Sequence, residues 1–396
     1  MFITRTERIK NHRSLMALIT LFMFSIGSHA YADKKERENK SKKEPSSLSI
    51  STYKKKSFSP SRGEVFVIPF SVKKFDDIKK IDVEIRTSDD DLVRKLSFNR
   101  FKKNKMNYEI KWDGKDSSKK VVPNEVYSPI FIITTQSNKK QRIDHRQSSG
   151  GEELYDFEKK IRAGVVEYTL PSASRVLIRS GIKNGPMLRT IIDWEPRTAG
   201  FHAERWNGRD IDNVIAIERN PKVGHLIIGY KLPDHSIITY GNSKLSYRAY
   251  REKKKWALRQ ASYKNRKLER AGKLIRPEYY TPVLQQKSPR ITVNLLDTSR
   301  KPLKKISGFD EVITEVKINP LDEIYLDQER YEISFFINNE FIAEEEQGFV
   351  PFTWRWSPGR FGLKPGNHVL TVNVSGYSGQ VGVRNIAFTL EAGKSK

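Results

Sequence analysis

The sequence predicts an all-β fold, with tandem β-sandwich domains and one basic helical insert. Three observations carry this expectation. Apolar and polar residues alternate in short runs separated by Asp, Ser, Asn and Gly, the pattern of half-buried strands. A Trp-Asp/Asn-Gly-x-Asp segment occurs twice, with Trp112 and Trp206 94 positions apart. The period turns helical only between Leu245 and Gly272, where Lys and Arg crowd the chain. The 396 residues are 37% apolar, enough for several modest cores. Cysteine is absent, which removes disulfides, thiolate nucleophiles and Cys-ligated metals together.

Taken in order, residues 1–32 read as a signal peptide. Arg5, Arg8, Lys10 and Arg13 form a positive start, Leu15 to Ile26 an apolar stretch, and Ala30-Tyr31-Ala32 a cleavage site before Asp33. Residues 33–57 are a flexible basic leader, rich in Lys and Ser and poor in large apolar groups. The first sandwich spans 58–136, with strands expected at Glu64–Val72, Lys80–Thr87, Leu92–Leu96, Met106–Trp112 and Val126–Thr135. A polar linker, 137–160, contains Ser148-Ser149-Gly150-Gly151. A second sandwich follows at 161–243, and the basic insert at 244–289. Residues 290–392 read as about seven strands, including a hairpin turned at Asn338-Asn339, on the spacing of an immunoglobulin or fibronectin-III-like sandwich.

The repeated segment has a legible physics. Its Trp ends a strand and packs inward, Asp or Asn before Gly tolerates a tight turn, and the second Asp accepts loop amides. In Trp112, Asp113, Gly114, Asp116, Val122, Pro123 and Tyr127 the first copy resembles the Ig-like domain of the flagellar hook-capping protein FlgD. Phe58-Ser59-Pro60 resembles that family's opening. The second copy keeps Gly200, His202, Trp206, Gly208 and Asp210, has Asn207 for Asp, and loses the Val-Pro-Gly-Tyr ending. The first copy also lacks the family's glycine after Asp116 and carries Glu125 before Val126-Tyr127. The resemblance covers about 40% of the chain. It implies a β-sandwich module, found as an accessory in exported bacterial proteins, and little about chemistry.

Net charge is +26, and residues 244–290 hold 15 basic against 3 acidic side chains, or +12 of it. Tyr247, Tyr250, Ala257, Ala261, Leu268 and Ala271 share one helical face, with a cap at Asn242 or Ser243. Arg248, Arg251, Lys253, Lys254, Lys255, Arg259, Lys264, Arg266, Lys267 and Arg270 cover the rest, with Trp256 among them. This is a candidate contact for an anionic surface (lipid headgroup, lipopolysaccharide or acidic glycan) or for a protein partner. The alternative is a helix whose thin apolar stripe packs on its own sandwiches, near Glu344-Glu345-Glu346. Export makes a nucleic-acid partner improbable.

Phe352, Trp354 and Trp356 share a strand face; Trp354 and Trp356 are candidates for stacking on sugar rings, the alternative being core. The five histidines after residue 32 show no paired ligand spacing, and Asp89-Asp90-Asp91 lacks the alternation of a calcium loop. No nucleophile elbow, phosphate loop or dinucleotide fingerprint occurs. The expectation is a non-enzymatic exported scaffold or binding protein of the bacterial envelope. It uses no cofactor, carries no transmembrane span after cleavage, resides in the periplasm or at the cell surface, and engages a partner through 245–275. The competing expectation is an accessory carbohydrate- or peptidoglycan-binding protein, or a weak hydrolase, of polysaccharide metabolism.

Overall fold

In the first sandwich, alternation along each strand sets which face is buried. In the computed structural model Asn107–Trp112 (β6) alternates exposed and buried, sending Tyr108, Ile110 and Trp112 inward. It pairs with Phe66–Val72 (β3), which also pairs with Leu48–Ile50 (β1). The facing sheet runs Ser57–Phe58 (β2), Ile237–Thr239 (β16), Val126–Thr135 (β7), Ile78–Thr87 (β4) and Leu92–Phe98 (β5), with Lys140–Ile143 (β8) also on β7. The structure describes residues 48–392 apart from 52, 54, 74–76, 103–105, 155–156, 163, 257–268, 271–272, 275–285 and 328–329. The expected signal peptide and residues 33–47 of the leader lie outside the described residues; the described part of the leader is not loose, because Leu48–Ile50 pairs with β3 and Leu48 and Tyr53 bury apolar surface in the first core.

β16 corrects the expected layout. Ile237–Thr239 belongs by position to the second module, 161–243, yet Ile237 pairs with Tyr127, and Ile238 with both Val126 and Ser57. A strand's partner is set by which sheet edge is free when the chain passes, and periodicity carries no record of that. The second sandwich also begins earlier than expected. Glu153–Leu154 (β9), assigned to the linker, and Lys159–Arg162 (β10), which straddles its expected end, pair with Val223–Lys231 (β15) and Val165–Leu170 (β11). Its sheets are β10-β11-β14 and β13-β12-β15-β9, where Ser174–Ile182 is β12, Met187–Arg197 β13 and Gly200–Arg205 β14.

The two Trp-x-Gly-x-Asp turns have one geometry. Gly114 and Gly208 sit at φ +67° and +69°. One residue on, Lys115 bridges to Val121 and Arg209 to Ala216. The amides of Lys115 and Arg209 donate to Asp113 and Asn207. Asp116 Oδ1 accepts the amides of Ser118 and Lys120, while Asp210 accepts those of Asp212 and Ile215. Trp112 is fully buried, donating Nε1–H to the Lys115 carbonyl, whereas Trp206 is half-buried. Tyr127, the last residue of the motif, donates to the Pro123 carbonyl at 3.0 Å.

The helix of the insert is short. Tyr247–Lys253 (α1) is capped by Ser246, not Asn242 or Ser243, and the chain turns at Lys255 with φ +57°. Residues 257–268 lie outside the described residues. Glu269–Arg270 (β17), where helix was expected, pairs antiparallel with Lys273–Leu274 (β18), just past the expected helix end at Gly272.

The third sandwich pairs β19-β21-β24 (Ile291–Leu296, Val312–Ile318, Phe352–Trp356) and β20-β26-β25-β22-β23 (Lys305–Ser307, Val381–Glu391, Gly366–Gly376, Tyr331–Ile337, Glu340–Glu345). Asn338 and Asn339 both have positive φ, as a two-residue hairpin turn requires. Between β21 and β22 lies an unexpected helix, Pro320–Leu326 (α2), with Asn319 as cap, Pro at its start and Asp322 and Glu323 in its first turn. Residues 47–396 form one compact unit.

Candidate functional site

The basic helix α1 is used within the chain. Its apolar face seats Tyr247, Tyr250 and the adjoining Trp256 against the first sandwich, and its cations meet carboxylates there. Tyr247 donates to Asp89 Oδ2 at 2.6 Å. Arg251, 2% exposed, lies 2.8 Å from Asp91 and 3.4 Å from Asp89. Tyr250 and Lys254 both reach Asp116 Oδ2, at 3.1 and 2.7 Å. Asp116 thus closes its own turn with one oxygen and receives the helix with the other. On the opposite side Arg248 pairs with Asp322 of α2 at 2.9 Å and donates to the Ser288 carbonyl, while Glu252 pairs with Arg290 at 2.7 Å. One two-turn helix therefore ties the first sandwich to the third.

The electrostatics follow from burial. Two carboxylates face one guanidinium at Arg251. Burial, with Asp89 adding to it, pushes Asp91 up to about 6 against the pull of Arg251. Burial also works to raise Asp116, but the hydrogen bonds from Lys254, the Lys120 amide and Tyr250 hold it below the usual carboxylate range. Burial opposes the charge on Arg251, yet Asp89, Tyr247 and Asp91 raise its pKa.

A second seam runs along the outer face of β12. Val176 and Ile178 fill the second sandwich's core, so alternation turns Arg175, Leu177 and Arg179 the other way, where they too are buried. Arg175 meets the first sandwich: its guanidinium lies 2.6 Å from Glu125, itself 1% exposed, and donates to Ser88 Oγ and the Trp194 carbonyl. Val126, Ala173, Leu232 and Ile238 make a small apolar core beside it. Arg179 meets the third sandwich with much less. It is 3% exposed and donates once, from Nη1 to the Gly379 carbonyl at 2.7 Å. Its Nε and Nη2 have no partner among the described residues. Burial, against the distant charge of Asp193, brings it down to about 10.

The remaining expected residues fall as follows. Lys253 and Lys255 are exposed, and Arg259, Lys264, Arg266 and Lys267 lie outside the described residues. Arg270 is in β17. Arg251 is too buried to touch a second molecule. Trp354 and Trp356 are 5% and 3% exposed, stacked at 5.3 Å inside the third core with Phe335 and Phe388. They cannot stack on a sugar; the same alternation leaves Thr353 and Arg355 outward. His202 bonds the Thr198 carbonyl and stacks on Tyr168, a packing role. Sequence reasoning did not single out Glu125, Arg175 or Arg179. The only signal was a pair of arginines four positions apart, bracketing the apolar run Val176-Leu177-Ile178. Among the described residues, no group of three or more His, Asp or Glu is placed to hold a metal ion, and no helix is long and apolar enough to cross a membrane.

No family model matches the chain, nor does any curated protein. The hook-cap resemblance therefore stands on the motif residues alone. Among solved structures, the fibronectin(III)-like modules of Clostridium thermocellum CbhA align at 8% identity over 87% of this chain and 93% of theirs, with a TM-score of 0.18. A structure from a 1.5-MDa bacterial ice-binding adhesin aligns at 9% identity over 85% of this chain and 95% of its own, with a TM-score of 0.19. Chicken CNTN1 FN1–FN3 domains give 9%, 87%, 98% and 0.18. The neighbours are immunoglobulin- and fibronectin-III-like modules, and at these values they carry no functional argument. The sandwich architecture rests on the strand pairing itself.

Proposed function

We propose that the protein is an exported, non-enzymatic scaffold or binding protein of the bacterial envelope, with its three sandwiches braced as one body. The observation that carries this reading is the use made of residues 237–256. A stretch that could have been a loose linker supplies a strand to the first sheet and a helix whose buried ion pairs reach both flanking sandwiches. Such bracing fixes the separation of surfaces, which a scaffold needs. Contact with a partner then falls to the exposed Lys253 and Lys255 and to Arg259, Lys264, Arg266, Lys267 and Arg270, which the charge pattern of the sequence nominates. Export follows from the signal-like residues 1–32, with periplasm or cell surface as the destination.

Co-purification from the native envelope tests the reading. The full chain is compared with one whose residues 257–275 are replaced by Gly/Ser of equal length. A specific envelope component retained at low salt, released at high salt and lost on replacement is the expected result, because attraction to exposed charge is screened over about 8 Å at physiological salt. Retention unaffected by the replacement overturns the contact element. A cellular chain that keeps Met1 and stays in the cytoplasm overturns export.

A further inference from the structure

Where β12 meets the third sandwich, a cation is sealed in with little to balance its charge. Arg179 is 3% exposed, and the seam around it is shut. Asn373 of β25 accepts the Met187 amide and donates to the Met187 carbonyl, each at 2.9 Å. Further along, Asp212 accepts from Arg384 at 3.0 Å and from the Asn385 amide at 2.7 Å. Within that seam Arg179 uses Nη1 on the Gly379 carbonyl, in the turn between β25 and β26. Its Nε and Nη2 are buried, with no hydrogen-bond partner among the described residues. These two atoms lie along one side of the guanidinium plane, the side that meets two oxygens of an anion in parallel.

The carboxylate whose charge reaches Arg179 is that of Asp193, and it is already engaged. Its two oxygens accept the Ser288 amide at 3.0 and 3.3 Å, and Oδ1 also accepts the Ser288 hydroxyl at 3.4 Å. Thr190, opposite Arg179 in the β12–β13 ladder, is bonded to the same hydroxyl at 3.1 Å. A guanidinium stays charged at neutral pH, and a buried charge needs a partner of opposite sign. A water molecule could accept the two hydrogen bonds but would bring no charge.

We infer that the Nε–Nη2 side of Arg179 binds a small monovalent anion, of the size of formate or chloride, and that this anion locks the third sandwich onto the second. One cation sets the charge at one, and the burial of Arg179 limits the ligand to a few atoms. Arg179 belongs to the second sandwich and the Gly379 turn meets it from the third, so an anion held there is bound only while the two are docked. The inference stands apart from the envelope reading, since it concerns the purified chain alone.

The test is hydrogen exchange at β25 of the purified chain in sodium gluconate, with formate or chloride replacing gluconate at constant ionic strength. Gluconate is too large for the seam and keeps screening constant. A ligand held only in the docked state slows exchange through undocking by one plus the ratio of its concentration to Kd, about tenfold at ten times Kd. Saturable slowing of this kind at β25, with β3 of the first sandwich unaffected, is expected for formate, chloride or both. Arg179→Met should abolish it. Arg179→Lys, which keeps the charge without the paired donors, should weaken it. Arg360→Met, at an exposed position of the third sandwich, should leave it unchanged. In gluconate alone the guanidinium keeps its single acceptor, and Arg179→Met should exchange at β25 no faster than the wild type. Equal exchange in gluconate and in both small anions overturns the inference. So does slowing that persists in Arg179→Met or that appears equally in β3. Should Arg179→Met fail to fold, Arg179→Lys takes its place, and an anion Kd unchanged from the wild type overturns the inference.

Discussion

Arg175 and Arg179 lie on one face of one strand, equally buried, and the structure assigns them opposite effects on substitution. Arg179→Met keeps most of the side chain's volume and removes its charge. The depression of its pKa from 12.5 to about 10 corresponds to about 3 kcal/mol disfavouring the buried cation, at ~1.4 kcal/mol per unit. Against this stands one charged hydrogen bond to the Gly379 carbonyl, worth about 1.5–3 kcal/mol. Methionine therefore leaves the seam between the second and third sandwiches unchanged or firmer by up to about 1–2 kcal/mol. Arg175→Met removes the partner of a buried Glu125 and costs about 3–5 kcal/mol. Urea unfolding followed by hydrogen exchange, resolved for β12 and β25, reads both seams separately. Slower exchange at β25 in Arg179→Met, and faster exchange at β7 and β12 in Arg175→Met, is the expected pair. If both substitutions loosen their seams to the same extent, the argument from unequal compensation is refuted.

Trp354→Ala should cost about 3–5 kcal/mol through a cavity in the third core, measured by denaturant unfolding; a folded variant of unchanged stability would contradict the placement. Gly114→Ala and Gly208→Ala share the strain of positive φ, but a Cβ at 114 collides with the Pro60 ring, whereas at 208 it meets the movable carboxylate of Glu218. Gly114→Ala is expected to lower stability by about 1 kcal/mol or more beyond Gly208→Ala, and the reverse order would count against the turn geometry. Acid sensitivity provides the last test. Burial, reinforced by the tilted ring of His145 4.5 Å away and by Lys56 and opposed by Asp234, holds His235 down at about 4. Between pH 6.5 and 4 the unfolded chain takes up this proton and the folded chain resists it, so stability is lost as pH falls through that window. Asp91 has the opposite sign: with its pKa raised to about 6, its share of stability is present below about 3.8 and lost as pH rises to 6. The wild-type profile mixes the two, so the difference from His235→Gln isolates the histidine. A flat difference between pH 4 and 6.5 would rule the effect out.

What could be read from the sequence divides along a physical line. The Trp-x-Gly-x-Asp turns were legible because each residue type enforces a local conformation: positive φ for Gly, amide acceptance for Asp. The Asn338-Asn339 hairpin was legible for the same reason. Period alone showed that Phe352, Trp354 and Trp356 share a face, but not which way that face points. Asp89 and Asp91 looked like turn residues, and they are; their second role as acceptors for Tyr247 and Arg251 depends on a helix some 160 residues away. The helix itself proved shorter than its period because the chain turns out of it at Lys255, which takes a positive φ just after the Lys254 cap. The α2 signals at Asn319-Pro320 were present but lay inside a region dominated by strand alternation.

The pairing of Ile237 with Tyr127 and of Ile238 with Val126 also bears on the order in which the chain matures. Residues 151–153 and 229–231 are hydrogen bonded to one another, so the second sandwich enters and leaves at one point, like a passenger domain inserted into its host. During synthesis the first sandwich begins earliest yet lacks an edge strand until residue 239 has emerged, when all the strands of the second are already available. β2 hydrogen bonds to the rest of its sheet through β16 alone among the described residues, so it too must wait. The domain that starts first finishes second, and until then the Val126–Tyr127 end of β7, beyond its pairing with β8, presents an open edge. A chain interrupted between the two events exposes that edge to other chains, which makes the interval, more than the finished protein, the aggregation-prone stage of its life.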